Sequence, residues 1–343
     1  MLDRINYIRL QIKTDNALLR CLFGVSLSLI LTTSINLFTP HITPILTLMF
    51  LGKEGERPTI KKSILIWIAF GLLGVIGNSI GKYLIDMPLV VLPILGLIIF
   101  WSYRLNKIPA AVRLLFLMLA VLLTFVNVQG NFLGTFVVKL LLLHLAIALA
   151  VIQFSFLLFP VSTQIQTEEQ KKPLEKPKLN LDKLALNGVI VLLPVVAIFL
   201  IYNLNILPIT LVFIVILGFD PFMYRSNKGK VMLIGNLLGG ALGLLAYNIL
   251  VIAPNYLIYI LLIISVGGYF VQKIFSGQQT AAIYDLAFKT FFVVMGSVSV
   301  SDTSAASTIS DRLLQLGLAI LYLIVAFKTV NTLNNPFLEN ETA

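Results

Sequence analysis

Apolar and polar residues do not alternate finely along this chain; long aliphatic runs are broken by short polar intervals. The runs fall near 17–37, 41–51, 63–85, 87–103, 109–128, 132–160, 183–204, 206–219, 231–252, 255–272, 280–300 and 308–328. About 20 apolar residues in a helix cross a hydrocarbon core about 30 Å thick. Only the second and eighth runs fall well short of that. The pattern predicts an all-α integral membrane protein of about twelve transmembrane helices. The first run is long and lacks a small-residue cleavage site, so it reads as a retained helix and not as a signal peptide.

The polar intervals set the sidedness, because short cytoplasmic loops are enriched in Lys and Arg. An N-terminus placed inside puts Arg4, Arg9 and Lys13, then Lys53, Arg57, Lys61 and Lys62, then Arg104 and Lys107, then Lys171, Lys172, Lys176, Lys178 and Lys183, then Arg225, Lys228 and Lys230, and finally Lys273 and Lys328 on one face. The opposite loops hold almost no cations. Were the two short runs re-entrant, the loop "GKEGERPTIKK" would fall outside, against this bias. Both are therefore expected to cross, and both termini to be cytoplasmic.

The longest polar interval, 162–183, is rich in Lys, Glu, Gln and Pro and lies at the midpoint, which suits a cytoplasmic linker. It separates a first six-helix repeat, 1–161, from a second, 184–343. An offset of 166 residues aligns Gly52 with Gly218, Lys62 with Lys228, Gly74 with Gly240, Gly77 with Gly243, Pro88 with Pro254 and Tyr103 with Tyr269. A later offset of 173 pairs "TFVVKLLLLHLAI" with "TISDRLLQLGLAI". Six spans per half is an even number, so the expectation is two parallel pseudo-repeats related by an axis along the membrane normal.

Composition agrees. The chain has 343 residues, 58% of them hydrophobic and 12% charged, with a mean hydropathy of +0.97, where soluble domains carry about 25% charged residues. The net charge of +10 is scattered through short loops and marks topology, not nucleic acid. Cys21 lies alone inside the first run and says nothing about redox compartment.

A cationic N-terminus, a short Pro-containing second span ("PHITPILTLMFLG"), a basic loop, a Gly-rich third span ("FGLLGVIGNSIGKYL") and a second copy of that order ("LPITLVFIVILGFDPF", then "GNLLGGALGLLAYN") resemble the fusaric-acid-resistance and aromatic-acid-exporter group of inner-membrane proteins, in its short membrane-only branch. Larger exporters of that group carry a cytosolic domain between the halves, which has no counterpart here. The resemblance implies export of small organic anions from the cell inner membrane, with a periplasmic adaptor protein as partner. Distantly similar plant anion channels assemble two six-span units around a basic pore, so a homo-oligomer is in keeping with it.

Candidate chemistry comes from ionisable groups inside apolar runs, which are costly in lipid and point to function. Lys139 and Arg312 correspond in the repeat and together would hold one anion; the alternative is that each snorkels to the outer headgroups, favoured for Arg312 by its place beside Asp311 in a polar loop. His144 follows Lys139 by five residues, on another face of the helix. It reads either as an interhelical hydrogen bond or as a proton relay. Asp285 and Lys289 are four apart on one face: a structural ion pair, or a site where proton and substrate compete. Their repeat counterparts, Leu114 and Met118, are apolar. Short Pro-interrupted spans in both halves point to a transport site, where Thr43, Thr47 and Thr210 supply hydroxyls near Pro44 and Pro208. The glycines of the third and ninth spans read as close helix packing, and Arg20, Arg113 and Lys82 as snorkelling cations.

No Walker A sequence, zinc-ligand spacing or nucleophile motif occurs, so neither a cofactor nor an enzymatic activity is expected. The leading reading is proton-coupled efflux of a small organic, in particular aromatic, anion, with Lys139, Arg312, Lys289, Thr47 and Thr210 binding substrate and Asp285 and His144 coupling protons. A passive anion channel is the first rival. An intramembrane enzyme acting on a lipid-linked substrate is the second, weakened by outer loops with few acid or base groups beyond Asp86, Asp302, Asp311 and His41.

Overall fold

A computed structural model describes residues 2–52, 57–84, 86–105, 107–108, 110–160, 180–202, 208–222, 228–298 and 305–337. Twelve helices lie among the described residues, and no strand. They are α1 Leu2–Ser34, α2 Ile42–Leu51, α3 Ile60–Leu84, α4 Pro88–Arg104, α5 Ala110–Gln129, α6 Asn131–Leu158, α7 Leu181–Ile201, α8 Pro208–Gly218, α9 Lys228–Ile252, α10 Tyr256–Ile274, α11 Ala281–Val298 and α12 Ala305–Leu333. Each predicted run is one of them. Seven, in α1, α3, α6, α7, α9, α10 and α12, are long and apolar enough to cross a membrane, and α2, α4 and part of α5 are shorter apolar helices. This is a multi-pass membrane protein.

Helix ends follow local chemistry. The Asn180 side chain accepts from the amides of Asp182 and Lys183, and Asn255 accepts from that of Leu257, each satisfying donors left open in a first turn. Gly277, at φ +69°, turns the chain between α10 and α11. Three expectations are corrected here. Helix α1 starts well before its apolar run. The polar interval 162–183 ends as helix, since Asn180 caps α7 and 181–183 form its first turn; 162–179 lie outside the described residues. Arg312 belongs to α12 and not to a loop, because the apolar spacing Ile309, Leu313, Leu316, Ile320 already runs at helical period.

The helices gather into two compact units. One comprises Met1–Trp67, Leu140–Gln164 and Lys230–Leu313; the other comprises Ile68–Lys139, Ile165–Gly229 and Leu314–Ala343. In the first, α1 packs on α2 and α10, α10 on α11, and α11 on α2. Its core includes Phe270, Phe288, Phe291 and Phe292, all buried, with the Phe288 and Phe292 rings 4.8 Å apart. In the second, α7 packs on α8 and α4, α4 on α5, and α5 on α8.

Glycines set the closest approaches, as expected from their spacing. A Cβ on Gly239 would strike the carbonyl of Ala287, and one on Gly235 would lie 3.1 Å from that of Ile283, so α9 rides on the backbone of α11. In the other unit a Cβ on Gly77 or Gly81 would stand 2.8 Å from the carbonyls of Leu119 and Leu123, seating α3 on α5. Between helices in lipid such contacts act through dispersion and not through water release.

Candidate functional site

In the first unit the predicted residues gather round the short helix α2. Ten residues make it about 15 Å long, half the thickness of a bilayer core. The turn leading into it holds Asn36 at φ 50° and Thr39 at φ 56°, a left-handed conformation that costs a non-glycine residue about 1–2 kcal/mol. Side chains pin that turn. His144 of α6 lies 3.0 Å through Nε2 from the Phe38 carbonyl and 2.6 Å through Nδ1 from the Thr43 hydroxyl, and Thr32 of α1 donates to the Pro40 carbonyl at 3.0 Å. A carbonyl only accepts, so Nε2 carries the hydrogen, and in the neutral ring Nδ1 then accepts from Thr43. His144 is fully buried, a link between helices. Thr47, also fully buried, donates to the Thr43 carbonyl within its own helix at 2.9 Å.

The far end of α2 meets the ion pair. Lys289 Nζ lies 2.5 Å from Asp285 Oδ2, with about a quarter of each side chain exposed. A Cβ on Gly52, the residue closing α2, would lie 3.2 Å from Asp285 Oδ1. The carboxylate thus sits at the negative end of the helix dipole, and Lys289 offsets both. In the second unit the packing of α5 on α8 encloses an apolar cleft instead, lined by Met118, Val121, Leu122, Leu211 and Val215.

Arg20 corrects the snorkelling expectation. It is 5% exposed, its Nη1 donates to the Phe159 carbonyl at 3.2 Å, and its guanidinium lies 4.3 Å from the centre of the Phe156 ring. Distance from the end of an apolar run gives depth but not which face points inward. Arg113 likewise turns back, donating to the carbonyls of Ser102 at 2.7 Å and Ile108 at 3.1 Å. Lys82 is exposed beside the Tyr83 ring.

Lys139 stands in the second unit, exposed, in the third turn of α6. Its depth follows from the antiparallel register of α6 on α3. Asn78 Nδ2 donates to Thr135 Oγ1 at 3.2 Å, and a Cβ on Gly74 would lie 3.1 Å from Val138. Lys139 is therefore level with the neighbourhood of Leu73. Helix α3 is about 37 Å long, and Leu73 lies about 20 Å from its first residue and about 17 Å from its last. Although Lys139 is only two turns into α6, it is level with the middle of α3. The same face of α6 exposes Phe132, Phe136 and Leu143, the two phenylalanine rings stacked 6.5 Å apart.

Lys139 and Arg312 fall in different units. Thr210 belongs to α8 and Arg312 to α12 by backbone, and their side chains lie outside the described residues. Sequence reasoning followed ionisable groups and passed over carboxamides. Asn127 Nδ2 donates to Asn78 Oδ1 at 3.1 Å and to the Leu123 carbonyl at 2.8 Å. Asn187 Nδ2 donates to Asn331 Oδ1 at 2.7 Å and Asn334 Nδ2 to Asn187 Oδ1 at 2.7 Å, tying α7 to the end of α12. An Asn inside an apolar run is the signal that could have found them. Comparison of the chain with protein families, with curated proteins and with solved structures returns no match.

Proposed function

We propose that the chain is an inner-membrane transporter that exports small organic anions, driven by the proton gradient. The observation that carries this reading is Lys139, an exposed cation level with the middle of a helix long enough to cross the membrane. Lipid there would cost about 2.5–3.5 kcal/mol, whereas a water-filled path for an anion puts the charge to use. The neighbouring Phe132 and Phe136 rings suit the apolar body of an aromatic acid, the substrate class that the resemblance implies.

Asp285 and Lys289 supply the coupling in this reading. Protonation of Asp285 releases Lys289 to attract an anion, and deprotonation restores the pair, so proton and substrate exchange through their differential affinity for two states. A passive anion channel would also use Lys139, but it has no need of a carboxylate held at a helix C-terminus beside a lysine. The duplicated organisation is part of the proposal. Under the repeat correspondence the main helix pairings among the described residues match between the units: α1 on α10 with α7 on α4, α1 on α2 with α7 on α8, α10 on α11 with α4 on α5, and α2 on α11 with α8 on α5. An even number of spans puts both termini on one side, and the Lys and Arg of the short loops make that side cytoplasmic.

A cysteine at position 139 tests the aqueous path. In sealed vesicles carrying Cys21→Ser with Lys139→Cys, a membrane-impermeant methanethiosulfonate reagent should modify position 139, and benzoate should slow the reaction. A thiol at that position that is inert from both sides would put that face of α6 in lipid and end the reading.

A further inference from the structure

We propose that Asn78 and Thr135 join Lys139 in a site rich in hydrogen-bond donors, selective for an oxyanion over a halide, and that Asn127 orients it. The inference rests on the reading of Lys139 as an anion site. Thr135 lies one helical turn from Lys139 on α6, which puts their Cβ atoms about 5–6 Å apart, and Asn78 faces Thr135 from α3. Both are part-exposed.

The polarity of the group follows from its hydrogen-bond inventory. The Oδ1 of Asn78 is taken by Asn127 Nδ2 at 3.1 Å, and the Oγ1 of Thr135 by Asn78 Nδ2 at 3.2 Å. The hydrogens left over are the second amide hydrogen of Asn78, the hydroxyl hydrogen of Thr135 and those of the Lys139 ammonium, so donors predominate, while each of the two oxygens already accepts one bond and keeps one lone pair. Asn127 is 2% exposed and also bonded to the Leu123 carbonyl at 2.8 Å. Reversing the Asn78 amide would set NH2 against NH2, and reversing Asn127 would set its oxygen against two carbonyl oxygens. Asn127 is thus a positioning residue that fixes the donor side of Asn78 toward Thr135.

Donors spread over a helical turn reach separate oxygens of one carboxylate, which a spherical halide cannot offer. Lipid phosphate shares the chemistry, but it stays at the headgroups, above the level of Lys139. Uptake of benzoate and of chloride into proteoliposomes provides the test, run in both phosphatidylcholine and phosphatidylglycerol vesicles. Thr135→Val and Asn78→Leu should each lower benzoate uptake about tenfold, the effect of one lost hydrogen bond to a charged group, with chloride uptake within twofold and with recovery in Thr135→Ser. Lys139→Ala should lower uptake of both ions. If Lys139→Ala lowers both but the other two variants keep the normal ratio of benzoate to chloride, Asn78 and Thr135 only join helices and the inference falls. Normal uptake of both ions in Lys139→Ala, or no anion uptake by the unaltered protein, removes the anion site itself. Rescue of the variants by phosphatidylglycerol alone would assign the donors to lipid and overturn the inference as well.

Discussion

Lys139→Leu separates a lysine that lines water from one that faces lipid, because the two settings give effects of opposite kind. At the middle of a span a lysine costs about 2.5–3.5 kcal/mol and a leucine gains about 0.5. If Lys139 lay against lipid, Lys139→Leu would stabilise the folded protein by about 3–4 kcal/mol, and transport would be untouched. In a water-filled path that desolvation is not incurred, so stability should change by less than about 1 kcal/mol. What is lost instead is attraction for the anion. Two unit charges 4 Å apart interact by about 4 kcal/mol at an effective dielectric of 20 and by about 1 kcal/mol in bulk water. The exposure of Lys139 draws the value toward the lower end, about 1–2 kcal/mol, or about 5- to 30-fold in apparent affinity. Denaturation in lipid bicelles reads the first quantity and concentration-dependent uptake the second, with Lys139→Arg as the charge-preserving control. A strongly stabilised Leu variant with normal uptake would refute the placement of Lys139 on an anion path.

Asp285→Asn should abolish accumulation driven by a pH difference yet leave downhill movement, measured in proteoliposomes; because it strands Lys289, Asp285→Asn with Lys289→Gln controls for misfolding, and normal uphill transport in that double variant would reduce the pair to a structural one. Gly239→Val should destabilise the packing of α9 on α11 by about 1–3 kcal/mol, since its Cβ meets the Ala287 carbonyl, whereas Gly268→Ala, with no atom near the added methyl, should be neutral or better in thermal unfolding. Asn187→Leu should cost about 2–3 kcal/mol by leaving Asn331 and Asn334 short of partners, read as a fall in denaturation midpoint; an unchanged midpoint would mean that these amides contribute nothing net.

The helices are legible in the sequence because each is an uninterrupted apolar run, and in lipid a run of that kind has few other conformations open to it. Their ends are less so, since α1 and α12 continue past the apolar stretch that announces them. The ion pair is legible from its spacing of four. His144 is legible as polar but not in its partners, because Phe38 and Thr43 lie about a hundred positions away in sequence. The inward turn of Arg20 is hidden, as helical periodicity is weak in a segment apolar on nearly every face. The grouping of α1 and α2 with α9, α10 and α11 is beyond reach for a related reason: hydropathy orders the spans along the chain but does not say which spans pack together.

The central claim is uphill movement of an organic anion powered by protons, and flux into proteoliposomes with and without an imposed pH gradient tests it most directly. The account predicts that labelled benzoate accumulates above its external concentration only while the gradient lasts, and that a protonophore collapses the accumulation. Benzoate that equilibrates at the same rate with or without the gradient, and never exceeds the external concentration, would contradict it and leave a passive channel.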